Sequence, residues 1–196
     1  MGAPVQPAAP PPRTAYVSFS AEVNPTTTEG MLRAAAELAQ QSFEVVHLLL
    51  STPGGSVMHG ITIYNMLRAM PFKLVTHNVG AVNSIGNVIL LAGEDRYACP
   101  NSTFMFHGVG FDVKAGARFE EKLLRERLEG INADQAQIAS IIEQRAGFTG
   151  PDEVKELFLE AQTKDPTYAL AKGIIHDIRD VEIPSGAPIF QLVFQR

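Results

Sequence analysis

Two apolar runs, Val45-Val-His-Leu-Leu-Leu50 and Lys73-Leu-Val-Thr-His-Asn-Val79, flank a helix-patterned stretch from Val57 to Met70. Runs of this kind, without polar alternation, are expected of strands covered on both faces, as in a parallel sheet. A helix between them supplies the crossover that parallel pairing requires. Upstream, Thr14 to Ser20 alternates apolar and polar residues as a half-buried strand does, and Pro25-Thr-Thr-Thr28 introduces a helix from Glu29 to Gln41 with hydroxyls suited to capping. Downstream, the pattern predicts a helix at about Ile85 to Ala92, short strands near Arg96 to Ala98 and Thr103 to His107, and a Gly-rich loop from Gly108 to Gly116. A helix follows Pro151 and ends near Ala161. Another starts at Pro166, with Asp165 as N-cap and Gly173 as its stop. Ile174 to Ile178 and Ala187 to Phe194 read as strand, and the fold class is α/β.

Residues 117–146 form one long helical stretch, with Leu124, Leu128, Ile131, Ile138, Ile141 and Ile142 on a single face. That face lapses once, at Asp134 and Gln135, where the helix could break. The helix either covers its own sheet or projects and packs on another subunit. A chain of 196 residues with 45% hydrophobic content can bury one core, so a single domain is expected over residues 13–196. Residues 1–12 are Pro/Ala-rich, lack the basic and apolar regions of a signal peptide, and are expected to be a disordered tail. No stretch reads as a membrane span.

Charge and composition exclude several function classes. A net charge of −5 without any Lys/Arg run leaves no basic surface for phosphates, so nucleic acid is not an expected partner. The single cysteine, Cys99, permits no internal disulfide and fits a reducing cytoplasm. His47, His59, His77, His107 and His176 have no metal-ligand spacing, and Gly54-Gly55 does not extend into a nucleotide fingerprint. Neither a metal nor a cofactor is implied.

The chemistry concentrates in three places. Ser84 follows an apolar strand and directly precedes the run Ile85-Gly-Asn-Val-Ile-Leu-Leu91, so a helix starting there would set its hydroxyl at a helix N-terminus. Pro53-Gly-Gly55 follows another strand, and its glycines would let backbone N–H groups approach a substrate. His107 ends a third strand beside a Gly-rich loop. A serine needs a base to take its proton and donors to meet the oxyanion, and these pieces supply both. Taken singly, each has a plainer reading: an N-cap for Ser84, a tight turn for Gly54-Gly55, a structural histidine for His107.

Taken jointly, Ser51-Thr-Pro-Gly-Gly-Ser-Val57, Gly80-Ala-Val-Asn-Ser-Ile-Gly86 with Leu90-Leu-Ala-Gly93, Pro100-Asn-Ser-Thr-Phe-Met-Phe-His107 and Ala169-Leu-Ala-Lys-Gly-Ile-Ile175 resemble the proteolytic subunit of the Clp protease. The resemblance runs from about Thr14 to Ile178. It implies a crotonase-like superhelix of βαβ units with a handle helix over about 117–146. It also implies a serine peptidase acting on peptides or unfolded proteins in homo-oligomeric rings, heptameric or doubled. By position it makes Ser84 the nucleophile and His107 the base, with Gly54 and Ile85 as oxyanion-hole donors. Gly55, Gly108, Val109 and Gly110 would bind substrate, and the segment from Gly110 to Gly116 would hold an extended peptide by strand pairing.

This chain departs from that family at several points. Counting back from Gly173 puts Ala161 where the family has the third triad residue, an aspartate. Gln162, Asp165 and Glu160 are candidates for the role, which stays open. Asn83 and Gly108 differ from the usual residues beside the nucleophile and the histidine. The Pro/Ala-rich start replaces the family's axial-loop segment, which argues against docking to a Clp-type ATPase. Three readings follow: a self-compartmentalised serine peptidase, a weak or inactive ring partner of an active paralogue, and acyl-CoA chemistry on the related crotonase fold. Ser84 and His107 together speak against the last.

Overall fold

The computed structural model describes residues 11–113, 116 and 118–194. The tail expected over 1–12 lies outside them as far as residue 10. In chain order the elements are β1 (Thr14–Ser20), α1 (Pro25–Gln40), β2 (Val45–Thr52), α2 (Val57–Ala69), β3 (Lys73–Asn83), α3 (Gly86–Leu90), β4 (Asp95–Ala98) and β5 (Thr103–Met105). They continue with α4 (Glu121–Arg145), α5 (Pro151–Glu160), β6 (Thr163–Lys164), α6 (Pro166–Ala171), β7 (Asp177–Ile178) and β8 (Ile189–Leu192). Helix α1 starts four residues before the expected Glu29. Asn24 caps it by accepting from Thr27 N–H (3.0 Å), while Thr27 Oγ1 accepts from Asn24 N–H (2.9 Å). Pro25 is tolerated inside the first turn, because the N–H it lacks would have had no intrahelical partner.

One sheet runs in the order β6-β5-β3-β2-β1-β8, with β4 beside β3 and β7 beside β4. Every pairing is parallel except β5 with β6. The long strand β3 serves two neighbours: Val75 to Asn78 pair with β4, and Ala81 to Asn83 pair with β5. Its register with β2 shifts between Leu50 and Thr52. That irregularity brings the end of β3 beside the turn that follows β2. The two strands expected near the C-terminus are shorter than their apolar runs. Ile174 and Ile175 instead donate to Ala169 O (2.9 and 3.3 Å), closing the end of α6, and only Asp177–Ile178 pairs.

Strand β2 corrects the expectation of a sheet covered on both faces, because its residues alternate between buried and half-buried. Val46, Leu48 and Leu50 join the core, whereas His47 and Leu49 face the less covered side. On that side an aromatic ladder crosses four strands. Tyr16 stacks on His47 (4.7 Å between centroids), His47 on His77 (5.2 Å), and His77 tilts against Tyr97 (5.3 Å). The Arg179 guanidinium lies 3.3 Å over the Tyr97 ring.

His47 Nδ1 and His77 Nε2 are 2.9 Å apart. Burial, reinforced by the neighbouring His47 and Arg179, pushes His77 down to about 4, and burial followed by Arg179 lowers His47. An unfolded histidine takes its proton near 6.5, so between about 6.5 and about 4 the unfolded chain binds more protons than the native one. The stability contributed by the neutral pair is therefore complete above 6.5 and is lost as pH falls through that window. We expect a loss on the order of 2 kcal/mol from this pair between pH 7.5 and pH 4.5. Urea melts of wild type and His77→Phe at both pH values check this. The expectation fails if the variant shows the same pH-dependent loss as wild type.

Helix α4 is continuous from Glu121 to Arg145, so the polar step at Asp134 and Gln135 does not break it. The two halves of the helix differ: the rear half covers the chain's own core, and the front half projects from it. Residues 121–130 are all exposed, with Leu124 at 50% and Leu128 at 57%, whereas Ile138 and Ile142 are buried in the chain's own core. Arg96 and Arg145 anchor the packed half. Arg96, itself buried, donates to the carbonyls of Ile174 (2.8 Å), Gly93 (3.2 Å), Arg145 (2.8 Å) and Gly173 (3.0 Å). Arg145 donates to Leu91 O (3.0 Å) and Gly93 O (2.7 Å).

Candidate active site

Ser84 occupies the turn between β3 and α3 with φ +56°, a left-handed conformation that is costly for any residue but glycine. Neighbouring bonds hold it there. Ser84 N–H donates to Met105 O (2.8 Å), and the Ser84 carbonyl accepts from Asn87 N–H (3.1 Å). Asn87 Nδ2 adds bonds to Ser84 O (3.1 Å) and Met105 O (2.9 Å), so one amide ties the serine turn to β5. A strained, half-buried serine in a strand–turn–helix setting has the backbone placement in which a hydroxyl can serve as a nucleophile. The side chain does not cap α3, whose N-cap residue is Ile85.

Gly54 packs directly against this turn. Its φ is +93°, and a Cβ there would lie 2.6 Å from Ser84 Cβ and 2.8 Å from Asn83 O. Only glycine allows the two turns to approach so closely. Gly54 N–H donates to Thr52 Oγ1 (3.1 Å), and the Thr52 hydroxyl in turn donates to Ala21 O (2.7 Å). Ile85 N–H, the other expected oxyanion donor, makes no hydrogen bond among the described residues. Gly55 pairs through an isolated bridge with Val23, which fixes the outer lip of the turn.

A cleft of about 680 Å³ gathers most of the expected site. Ser84, Ile85, His107, Gly55, Gly108, Val109 and Gly110 all line it. Residues 106–113 are irregular rather than strand, and of the expected peptide-binding segment Lys114 and Ala115 lie outside the described residues. His107 is exposed, and its Nδ1 is 2.8 Å from Gly108 O. A carbonyl can only accept, so this contact needs the proton on Nδ1, and in the neutral ring the lone pair is then on Nε2. No hydrogen bond joins Ser84 and His107 here; in ligand-free sites such bonds are often long and tighten when substrate binds.

None of the three candidates for the third role is hydrogen-bonded to His107. Glu160 pairs with Lys164, Asp165 caps α6 by accepting from Tyr168 N–H (2.7 Å), and Gln162 is exposed. Ala161, with φ +47°, ends α5. The one hydrogen-bond partner of the imidazole among the described residues is the Gly108 carbonyl. Sequence reasoning also passed over Asn87, whose signal was a single amide within the apolar run after Ser84. Glu22, Asp112 and Asp134 line the cleft too, and Asp134 had shown itself as the lapse in the apolar face of α4.

Comparison with known proteins agrees with this architecture. The family model described as Clp protease matches residues 12–182. A solved structure of a point mutant of ClpP1 from Listeria monocytogenes superposes with a TM-score of 0.71 at 21% identity, covering 86% of this chain and 92% of that one. The mixed α/β arrangement is thus the crotonase-like fold that the sequence motifs implied.

Proposed function

This chain belongs to the Clp protease family, and from that premise we propose that it is a serine endopeptidase cleaving peptides or unfolded proteins through an acyl-enzyme at Ser84. The observation that carries the reading is the strained Ser84 turn, seated on Gly54 and sharing one cleft with a His107 whose Nε2 is free. Ser84 Oγ attacks the scissile carbonyl carbon while His107 Nε2 takes the hydroxyl proton. The oxyanion is met by Ile85 N–H, and by Gly54 N–H once it turns from Thr52 Oγ1. Collapse of the tetrahedral intermediate breaks the C–N bond, and His107 returns its proton to the leaving amine. Water, activated by the same nitrogen, then releases the acyl group. Ring assembly follows from the same family reading, with the exposed leucines of α4 covered by a second copy.

A second reading has one observation in its favour. A carbonyl holds His107 in the correct tautomer, but unlike a carboxylate it carries no full charge to stabilise the imidazolium. Loss of that charge costs up to roughly four orders of magnitude in turnover. A weakly active or inactive ring partner would show this arrangement. A fluorophosphonate labelling time course, with mass spectrometry to locate the adduct and Ser84→Ala as control, separates the two readings. Adduct confined to Ser84 is the expected result. An assembled protein that stays unlabelled would establish the inactive partner.

A further inference from the structure

We infer that the cleft selects peptides carrying a lysine or arginine beside the scissile bond; this rests on the peptidase reading above. Val57, Ile138, Ile142 and Phe158 give the cleft apolar walls, the last three of them buried. Such walls suit the methylene stem of a long side chain, provided that its polar head finds a partner. Asn87 supplies one. It lines the cleft at 1% exposure, and its Oδ1 has no hydrogen-bond partner among the described residues. Its orientation is fixed, because Nδ2 serves both Ser84 O and Met105 O, and a flipped amide would set oxygen against two carbonyls. A buried acceptor left empty is costly, and because this oxygen is closed to solvent, a donor reaches it only as an entering side chain parts the walls around it.

The charge of the cleft specifies which donor. Glu22, Asp112 and Asp134 line it, and no lysine or arginine does so among the described residues. Asp134 is half-buried on α4, one turn before Ile138 and therefore on the same helix face. The adjacent Gln135 places its Nε2 2.9 Å from where a Cβ on Gly108 would sit, so this turn of α4 abuts the His107–Gly108 loop. The polar lapse in an otherwise apolar helix face thus stands in the cleft that the apolar residues line. An acidic rim, apolar walls and an orphan acceptor in one cleft match a cationic donor at the end of an aliphatic stem. They disfavour a purely aliphatic or acidic side chain.

The test uses fluorescent peptides identical except for lysine, arginine, norleucine or glutamate before the scissile bond. Binding to the full-length Ser84→Ala protein is read by anisotropy, and kcat/KM is read on wild type. Lysine is expected to exceed its uncharged near-isostere norleucine by at least about tenfold in both readouts. Asp134→Asn should reduce the lysine-to-norleucine ratio several-fold, and raised salt should shrink it further. Equal binding of the two peptides, preference for norleucine, or no binding of any peptide would overturn the inference, even with Ser84 fully labelled by fluorophosphonate. Lysine-selective binding in a protein that never labels would sustain it while removing the peptidase reading.

Discussion

Gly54→Ala is expected to slow fluorophosphonate labelling of Ser84 by about a thousandfold while leaving most of the fold in place. The added methyl would sit 2.6 Å from Ser84 Cβ and 2.8 Å from Asn83 O, distances that no real Cβ tolerates. The backbone at φ +93° is itself strained for alanine. Relief must come from the Ser84 turn, because the other side of Gly54 is tied down: its carbonyl accepts from Val23 N–H (2.7 Å). Losing one oxyanion donor alone costs about 10²–10³ in rate, and the serine would be displaced as well. Gly130→Ala is the matched control. Gly130 lies in exposed α4 with nothing within 4 Å of a new Cβ. That change should stabilise the helix by about 0.5–1 kcal/mol and leave labelling unaltered. Wild-type labelling by Gly54→Ala would show that the two turns are not in contact and would remove the geometric basis of the site.

Arg96→Leu carries the largest expected effect on stability. Four carbonyls converge on this buried guanidinium, from the turn after α3, the end of α4 and the end of α6. Those oxygens are left over where helices end, and one planar fork with five donors satisfies them together. Burial, together with the nearby Arg145 charge, lowers Arg96 to about 10, which leaves it charged at neutral pH without a carboxylate on its donors. Leucine fills part of the space but donates nothing. Among the described residues, only Gly93 O retains a side-chain donor, from Arg145 (2.7 Å). Each stranded buried acceptor costs about 1–3 kcal/mol, so a loss on the order of 4 kcal/mol is expected. In a chain of this size that lowers the thermal midpoint by roughly 10 °C. Arg96→Lys should recover part of it, because an ammonium reaches some of these oxygens but cannot fork among them. A midpoint within about 2 °C of wild type for Arg96→Leu would mean that the three helix ends do not depend on this side chain.

The sheet was legible because its strands are apolar runs and its helices carry the longer period, so β1 to β3 and α2 fall close to where pattern alone puts them. Edges were less legible. The capping box at Asn24 and the contraction of the last strands depend on which backbone groups find partners, and hydropathy does not record that. Coverage of β2 was overread for a related reason. An apolar run reports what a face could bury, whereas His47 meets a ladder of aromatic rings rather than a helix.

The active site divides in the same way. Residue types and order determined that Ser84, His107 and the Gly54-Gly55 turn each come just after a strand, and a parallel sheet brings the carboxyl ends of its strands to one edge. Tertiary structure decided what surrounds them. Asn87 is an unremarkable amide until the left-handed turn at Ser84 aims one end at two carbonyls and leaves the other without a partner. Asp134, 50 residues from Ser84, enters the same cleft only because the rear half of α4 packs on the core. The orienting partner of His107 is a main-chain carbonyl, and every residue has one. Side-chain identity is written in a sequence, but which backbone oxygen faces an imidazole is set by how the loop folds back. That is why candidates for a nucleophile and a base could be read from the chain, and the groups that surround them could not.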